Sequence, residues 1–300
     1  MTTNKETINL DHEEYQYLNL VKHVLKHGIE DDDRTGVGTY SILGNLMRFD
    51  LTDGKLPLLT TKKVNFKSVL GELLWFISGK TDSTNLKDQG INIWNANGSR
   101  EFLDACGFGD REEGDLGPVY GFQWRHWGAK YETSKTDYTG KGIDQLAKCI
   151  QMIKETPNSR RIIMNAWNVS DIELMVLPPC HVMCQFRVYK KQGLLSCIMT
   201  QRSCDIGLGV PFNIASYATL THIIAHVCGL KPYEFVYQMN DVHIYKSHVE
   251  KLKSQLDRTP KMFPTLKINT DNKDIDSFVM DDFILENYEH DDYIKMDMAL

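Results

Sequence analysis

The residues most capable of chemistry cluster between Leu177 and Tyr217. Pro178-Pro179-Cys180-His181 sets a thiol where two prolines end an irregular segment and an alternating strand pattern begins, so its sulfur can sit at an element edge within reach of a ligand. From the local pattern alone a buried structural cysteine is the more economical reading, because nothing beside it in the chain lowers the pKa. Gln201-Arg202-Ser203-Cys204-Asp205 then gathers a guanidinium, a hydroxyl and a carboxylate at the end of a second strand pattern. A cation there favours thiolate over thiol and holds an anion; the plain alternative is an Arg202-Asp205 surface pair worth ~0–1 kcal/mol. Asn213 follows Pro211-Phe212 at the mouth of an apolar helix. Its carboxamide is either an N-cap or, offering both a donor and an acceptor, a reader of a heterocyclic base.

Other patterns fail on their chemistry. His222 and His226 are four apart, but position 223 is Ile rather than the Glu of a zinc protease helix, and His23 with His27 has the same defect. Gly207-Leu208-Gly209 lacks the glycines and Lys of a phosphate loop, and no G-x-S-x-G elbow occurs. Seven cysteines, an odd number without C-x-x-C, argue against a disulfide framework and for a reducing compartment.

The elements that must position these groups follow from periodicity. Tyr17, Val21, Val24 and Leu25, then Phe66, Val69, Leu70, Leu73, Leu74 and Ile77, have helical spacing, as do Ile143, Leu146, Ala147, Ile150 and Ile153 before Pro157. Val182, Cys184, Phe186 and Val188 alternate as a strand, Lys190 to Gly193 turns, and Leu195 to Arg202 returns. Ile214 to Cys228 is apolar around most of its circumference and closed by Gly229, which describes a buried helix. Gly90 to Gly121 and Lys130 to Gly142 read as long ordered loops. Helices and hairpins mixed without βαβ regularity imply an α+β fold in one domain. With 300 residues, 42% hydrophobic and 25% charged, the chain is globular, and a net charge of −6 with scattered basic pairs disfavours nucleic acid as the primary partner. No apolar run reaches membrane-spanning length and Met1 to Leu10 has no signal-peptide core, so a cytoplasmic, non-secreted protein is expected, with the nucleus as the other compartment.

Together these blocks carry a resemblance. Asp33-Arg34-Thr35-Gly36-Val37-Gly38, Glu72-Leu73-Leu74-Trp75-Phe76, Gly114 to Gly121, Arg160 to Met164, Pro178 to His181, Gln201 to Ser203, Gly209 to Tyr217 and Asp241 to Tyr245 resemble, in order, the motifs of the thymidylate synthases, with an insert around Asn97 to Gly114 similar to that of the eukaryotic and viral branch. The resemblance implies an α/β (α+β) fold on a bent mixed sheet, residues 12–300 as the domain after a flexible segment 1–11, and two subunits with sheets back to back. It implies reductive methylation of dUMP to dTMP, with 5,10-methylenetetrahydrofolate as one-carbon and hydride donor and no metal.

Residue by residue, it implies Cys180 as the nucleophile toward C6 of the uracil, Asn213 as the base reader, and Glu72 as the proton-transfer group. Tyr120 stands near the nucleophile and Asp205 near the pterin. Arg34, Arg202 and Ser203 match phosphate contacts of one subunit and Arg160 with Arg161 the pair from its partner, for which a loop-like backbone is needed, since adjacent strand residues face opposite ways. His243 and Tyr245 match ribose contacts. Ile93, Trp94, Leu208, Gly209 and Phe212 match the folate wall, and Met296 to Leu300, with Met298 and Ala299, the tail that closes over the ligands. The sequence departs from the family pattern at Asn65, Asn95, Asn240 and Leu300, positions that bear on folate affinity and closure rather than on the nucleophile. Two further readings compete: hydroxymethylation of a pyrimidine nucleotide on the same scaffold, and a catalytically idle member that binds nucleotide or RNA.

Overall fold

The computed structural model describes residues 12–298, so the expectation for segment 1–11 and those for Ala299 and Leu300 lie outside it. Its helices are α1 (Tyr15–His27), α2 (Phe66–Ile77), α3 (Thr84–Lys87), α4 (Arg100–Ala105), α5 (Tyr120–His126), α6 (Gln145–Glu155), α7 (Gly209–Val227) and α8 (Val249–Leu256). Its strands are β1 (Ile29–Asp31), β2 (Thr39–Asp50), β3 (Ile163–Asn165), β4 (His181–Tyr189), β5 (Leu194–Asp205), β6 (Lys231–Tyr245), β7 (Thr265–Ile268) and β8 (Phe283–Glu286).

Six strands form one sheet in the order β1-β2-β6-β5-β4-β3, and β7 pairs β8 in a small second sheet. Every pairing in the large sheet is antiparallel except β5 with β6. The mixed sheet of a single α/β domain is as expected; the second sheet and the βαβ unit β5-α7-β6 are not, since the periodicity showed no βαβ element. A parallel neighbour requires a crossover long enough to return the chain, and α7 supplies it, packing on both β5 and β6.

Helix α7 is buried along nearly its whole length. A buried helix must satisfy its polar side chains internally, and Thr219 and Thr221 do so by donating to the carbonyls of Ala215 and Tyr217, both at 2.7 Å. Its start corrects the sequence reading: it begins at Gly209 and carries Pro211 in its first turn, where a missing N–H costs no hydrogen bond. Gly229 follows it with φ 66°, the left-handed conformation of a helix stop. His222 and His226 bond separate carbonyls, Lys55 at 3.0 Å and Asn272 at 2.9 Å, so each is a packed histidine. The third helix starts at Gln145 rather than Ile143, with the Asp144 side chain accepting from Ala147 N–H as its N-cap. Gly90 to Gly121 is not all loop: it contains α4 and ends on the first residues of α5. Helix α2, expected to bury one stripe, is covered on most sides.

One buried carboxylate ties the first helix to the site-bearing loops. Glu14, fully buried, accepts from the N–H and hydroxyl of Thr60 (2.9 and 2.6 Å) through one oxygen. Its other oxygen accepts the same two bonds from Thr61 (2.9 and 2.6 Å). Gln255 of α8 donates to the Thr61 hydroxyl at 2.9 Å, and the next residue, Lys62, reaches the Gly207 carbonyl at 2.5 Å. Glu14→Ala orphans two buried amides and two hydroxyls at once, so it lowers unfolding free energy by about 3 kcal/mol or more, measurable as a drop in the urea midpoint, whereas Glu13→Ala has a smaller effect.

Candidate active site

Cys180 occupies the residue before β4, partly buried, with its carbonyl accepting from Arg202 N–H at 2.8 Å, so the ladder to β5 extends one step past the strand. The Tyr120 hydroxyl, at the first residue of α5, accepts the Cys180 N–H at 2.7 Å. Arg202 is held rigidly: Nε donates to the Pro179 carbonyl at 2.9 Å, Nη2 to the Pro178 carbonyl at 2.9 Å, and Nη2 lies 4.0 Å from the sulfur. Its guanidinium also lies over Trp167, 5.3 Å from the ring centre. The two prolines therefore do more than end an irregular segment: they present the carbonyls that aim the cation at the thiol. The surface-pair reading of Arg202 with Asp205 does not describe this geometry.

The electrostatics of the thiol differ from the sequence expectation. Burial pushes the Cys180 thiol up, Arg202 and the Tyr120 hydroxyl pull it back, and Asp205 adds to the rise, leaving it above the ordinary value. The free site therefore stores a thiol, and the cation moderates rather than reverses the effect of burial.

Glu72 is not solvated. It is 8% exposed on α2, its Oε1 accepts from the Trp94 indole N–H at 2.7 Å, and burial pushes its carboxyl up to about 7 against that hydrogen bond. An aromatic stack links this corner to Cys180. Trp94 meets Tyr120 edge-on at 6.3 Å, and Tyr120 stacks on His181 at 4.0 Å. His181 Nδ1 lies 2.7 Å from the Tyr217 hydroxyl, and burial lowers its pKa to about 3, so the ring is neutral.

Asn213 lies inside α7, whose N-cap is Leu208, so the capping alternative falls. Its Oδ1 accepts from Gln201 Nε2 at 3.0 Å, and Gln201 Oε1 accepts from the Tyr237 hydroxyl at 2.7 Å. Because Gln201 Nε2 also donates to the Ser203 carbonyl at 2.8 Å, which can only accept, that end of Gln201 is its amide, and Gln201 in turn fixes which end of Asn213 is the carbonyl. Gln201 stands in register with His181, the neighbour of Cys180. Sequence reasoning did not single out Gln201, Tyr237, His181 or Tyr217 as site residues. The polar Gln201 among the apolar residues of a buried strand was the available signal.

Parallel pairing sets Ser203 beside Asp241 and Asp205 beside His243. His243 is buried, with Nδ1 2.9 Å from Asp241 Oδ1 and its ring edge-on to Tyr245 at 5.3 Å. Arg34, exposed in the loop between β1 and β2, reaches the same end of the sheet. Asp33 shapes that loop by accepting from Thr35 N–H (2.8 Å) and Gly38 N–H (2.7 Å), with Gly36 and Gly38 at φ 74° and 78°. The loop is fastened to the end of β6 by Lys246 N–H to the Gly38 carbonyl at 3.0 Å. Of the apolar wall, Trp94 is buried, Ile93, Leu208, Gly209 and Phe212 are partly buried, and Met298 is 51% exposed. Asn65 caps α2, accepting from Ser68 N–H at 3.3 Å; Asn95 bonds Asn92 at 2.9 Å; Asn240 is exposed on β6.

Arg160 and Arg161 stand apart from this cluster. They are exposed just before β3, in the irregular backbone expected of them, and line a surface hollow of ≈ 550 Å³ with Asn158, Ser159 and Arg187. Among the described residues neither forms an ion pair.

A family model described as thymidylate synthase matches residues 15–300. The chain is 55% identical over 289 residues to the Homo sapiens thymidylate synthase, covering 96% of this chain and 91% of that one. It is 57% identical to bifunctional dihydrofolate reductase-thymidylate synthase 2 of Arabidopsis thaliana and 54% identical to the bifunctional enzyme of Plasmodium chabaudi, covering 96% of this chain in each case. It spans about half the length of these bifunctional relatives, 51% and 49%.

Alkylation of Cys180 by iodoacetamide, followed by site-resolved mass spectrometry, should stay slow at neutral pH and accelerate above about pH 9. Tyr120→Phe, which removes a hydroxyl that favours the thiolate, should move that profile to higher pH.

Proposed function

Because this chain belongs to the thymidylate synthase family, we propose that it converts dUMP to dTMP by reductive methylation. The observation that carries the reading is the single orientation imposed on the Asn213 carboxamide by Gln201, itself oriented by the Ser203 carbonyl, together with a thiol that faces a fixed guanidinium. A carboxamide with its amide end free donates to a carbonyl such as O4 of uracil, while Oδ1 keeps a second lone pair for N3–H.

Cys180 loses its thiol proton to solvent and adds through sulfur to C6 of the ring, which makes C5 nucleophilic and sends the thiolate's negative charge to O4. Asn213 stabilises that charge with its N–H, a donor already in place before the charge develops. Glu72, with a carboxyl near neutrality, exchanges protons with the O4 side and with the folate nitrogens, the task for which such a value is suited. Neutral His181, held by Tyr217, lets the stacked Tyr120 ring keep its hydroxyl at the Cys180 backbone. Arg34, Arg202 and Ser203 hold the 5′-phosphate, and His243 with Tyr245 the ribose. Ile93, Trp94, Leu208, Gly209 and Phe212 offer the apolar surface a pterin and its benzoyl ring require, and Asp205 bonds the pterin. C5 bonds the one-carbon unit of methylenetetrahydrofolate, the C5 proton then leaves to a base of the site as tetrahydrofolate is expelled from the resulting C5 methylene, and that tetrahydrofolate gives its hydride to the methylene and departs as dihydrofolate. Cys180 departs from C6 as the ring regains its double bond. The tail that includes Met298 excludes water, so that hydride rather than hydroxide reaches the C5 methylene.

A homodimer fits this reading. Helices α1 and α7 pack on the sheet and α2 packs on α7, while the sheet leaves Leu46 and Tyr189 exposed. Two copies joined there cover that apolar surface and carry Arg160 and Arg161, unpaired in their own subunit, toward the partner's phosphate site. Seven free cysteines support a cytoplasmic setting.

The test is the absorbance rise of dihydrofolate on mixing the chain with dUMP and methylenetetrahydrofolate. Cys180→Ser should lower turnover by about 10⁴-fold or more while still binding dUMP. Release of tetrahydrofolate instead would indicate hydroxymethylation, and binding without turnover the idle alternative. For the dimer, inactive Cys180→Ala chains mixed with Arg160→Ala,Arg161→Ala chains should recover activity. In the hybrid one site keeps its own thiol and receives both arginines from the other copy.

A further inference from the structure

His248, at the end of the turn leading into α8, is 1% exposed and joins two segments that the sequence keeps far apart. Its Nε2 lies 2.8 Å from the Asp297 carbonyl, so that nitrogen carries a proton and donates to the carboxyl-terminal segment. Its Nδ1 is buried without a hydrogen-bond partner, 3.8 Å from Asp205 Oδ1. Gly207 makes room for this approach: a Cβ there would lie 2.5 Å from Nδ1 and 3.0 Å from the Met296 sulfur.

The chemistry of the ring follows. With Nε2 committed as a donor, a neutral imidazole must aim its bare Nδ1 lone pair at the Asp205 carboxylate, which is repulsive. An imidazolium donates on both sides, to a carboxylate and to a carbonyl. We propose that His248 is a positioning residue which, when protonated, clamps the chain at Asp297 against Asp205 and so couples closure of the tail to the pterin-binding carboxylate. The coupling to folate rests on the functional reading above; the clamp does not.

The groups facing His248 are Asp205 from the end of β5, Lys62 from the loop before α2, Tyr245 from the end of β6, edge-on at 5.6 Å, and Asp297 through its carbonyl. Burial lowers the His248 pKa and Lys62 opposes its charge, but the nearby Asp205 carboxylate and the hydrogen bond to the Asp297 carbonyl outweigh both, so it is raised overall. A raised value means that the clamp is fully present below the ordinary histidine pKa and is lost as pH rises through the folded value.

Hydrogen exchange of residues 294–298 in the full chain, corrected for intrinsic rate, tests the clamp. Protection should fall several-fold between about pH 6 and pH 9. In His248→Gln, whose amide can still donate to Asp297 but carries no charge, protection should not vary with pH. The folate KM should rise along the same profile in the parent and be level in the variant, with the dUMP KM unmoved in both. A variant that keeps the parent's pH dependence of protection overturns the clamp. Should the variant not fold, NMR titration of the His248 ring in the unaltered chain decides: a midpoint above the ordinary value that moves with tail protection supports it, and one at or below that value overturns it. If exchange follows the expected profile but no dihydrofolate forms, the clamp stands and the functional reading falls.

Discussion

The parallel pairing of β5 with β6 is the constraint on which the site depends. In a mixed sheet, ligand-binding space opens beyond the carboxyl ends of parallel neighbours, because the crossover returns underneath and leaves those ends uncovered. Here those ends deliver Ser203 and Asp205 from β5, and His243 and Tyr245 from β6, to one edge. The crossover begins there too, so the first turn of α7 brings Leu208, Gly209, Phe212 and Asn213 to the same place without a long loop. Antiparallel β4 meets β5 with its amino-terminal end at that edge, which is why Cys180 is presented where β5 finishes. Four elements converge because of one choice of strand direction.

Within that frame, polar groups are positioned by chains of hydrogen bonds that each fix the next. The Ser203 carbonyl sets Gln201, Gln201 sets Asn213, and two proline carbonyls set Arg202. Such chains resist reorientation better than isolated side chains, since rotating one member orphans the next in a buried setting. The thiol is treated differently. It is kept protonated by burial despite a guanidinium 4.0 Å away, which protects it from casual oxidation and alkylation.

Helices α1 and α6 and the β4-β5 hairpin were legible in the sequence because each buries a regular stripe, and α7 because it is apolar nearly all round, whereas the short α3, α4, α5 and α8 were not singled out. Strands β2 and β6 were not legible, although β6 is the longest strand in the sheet and β2 is as long as β5. On β2, Leu43 is 87% exposed and Leu46 48%, so apolar residues occur on both faces and the period of two is blurred. The motif residues were legible as a set through their resemblance, yet their physical states were not. Glu72 sits on the flank of its helical stripe and becomes buried only because Trp94, twenty-two positions along the chain, closes over it. Asn213 read equally well as a cap until the helix proved to start four residues earlier. Both outcomes depend on contacts that no local window contains.

The four hydrogen bonds on Glu14 have a consequence for how the molecule comes apart. A carboxylate without water is tolerable only while all its donors are in place. Docking of α1 and closure of the chain at Thr60 and Thr61 are therefore all-or-none with respect to each other, and partly open states that release one but keep the other are suppressed. Through Gln255 and Lys62 the same condition extends to α8 and to the Gly207 turn. Segments spanning most of the sequence thus melt as one cooperative unit, and fluctuations at the cleft are confined to elements outside it.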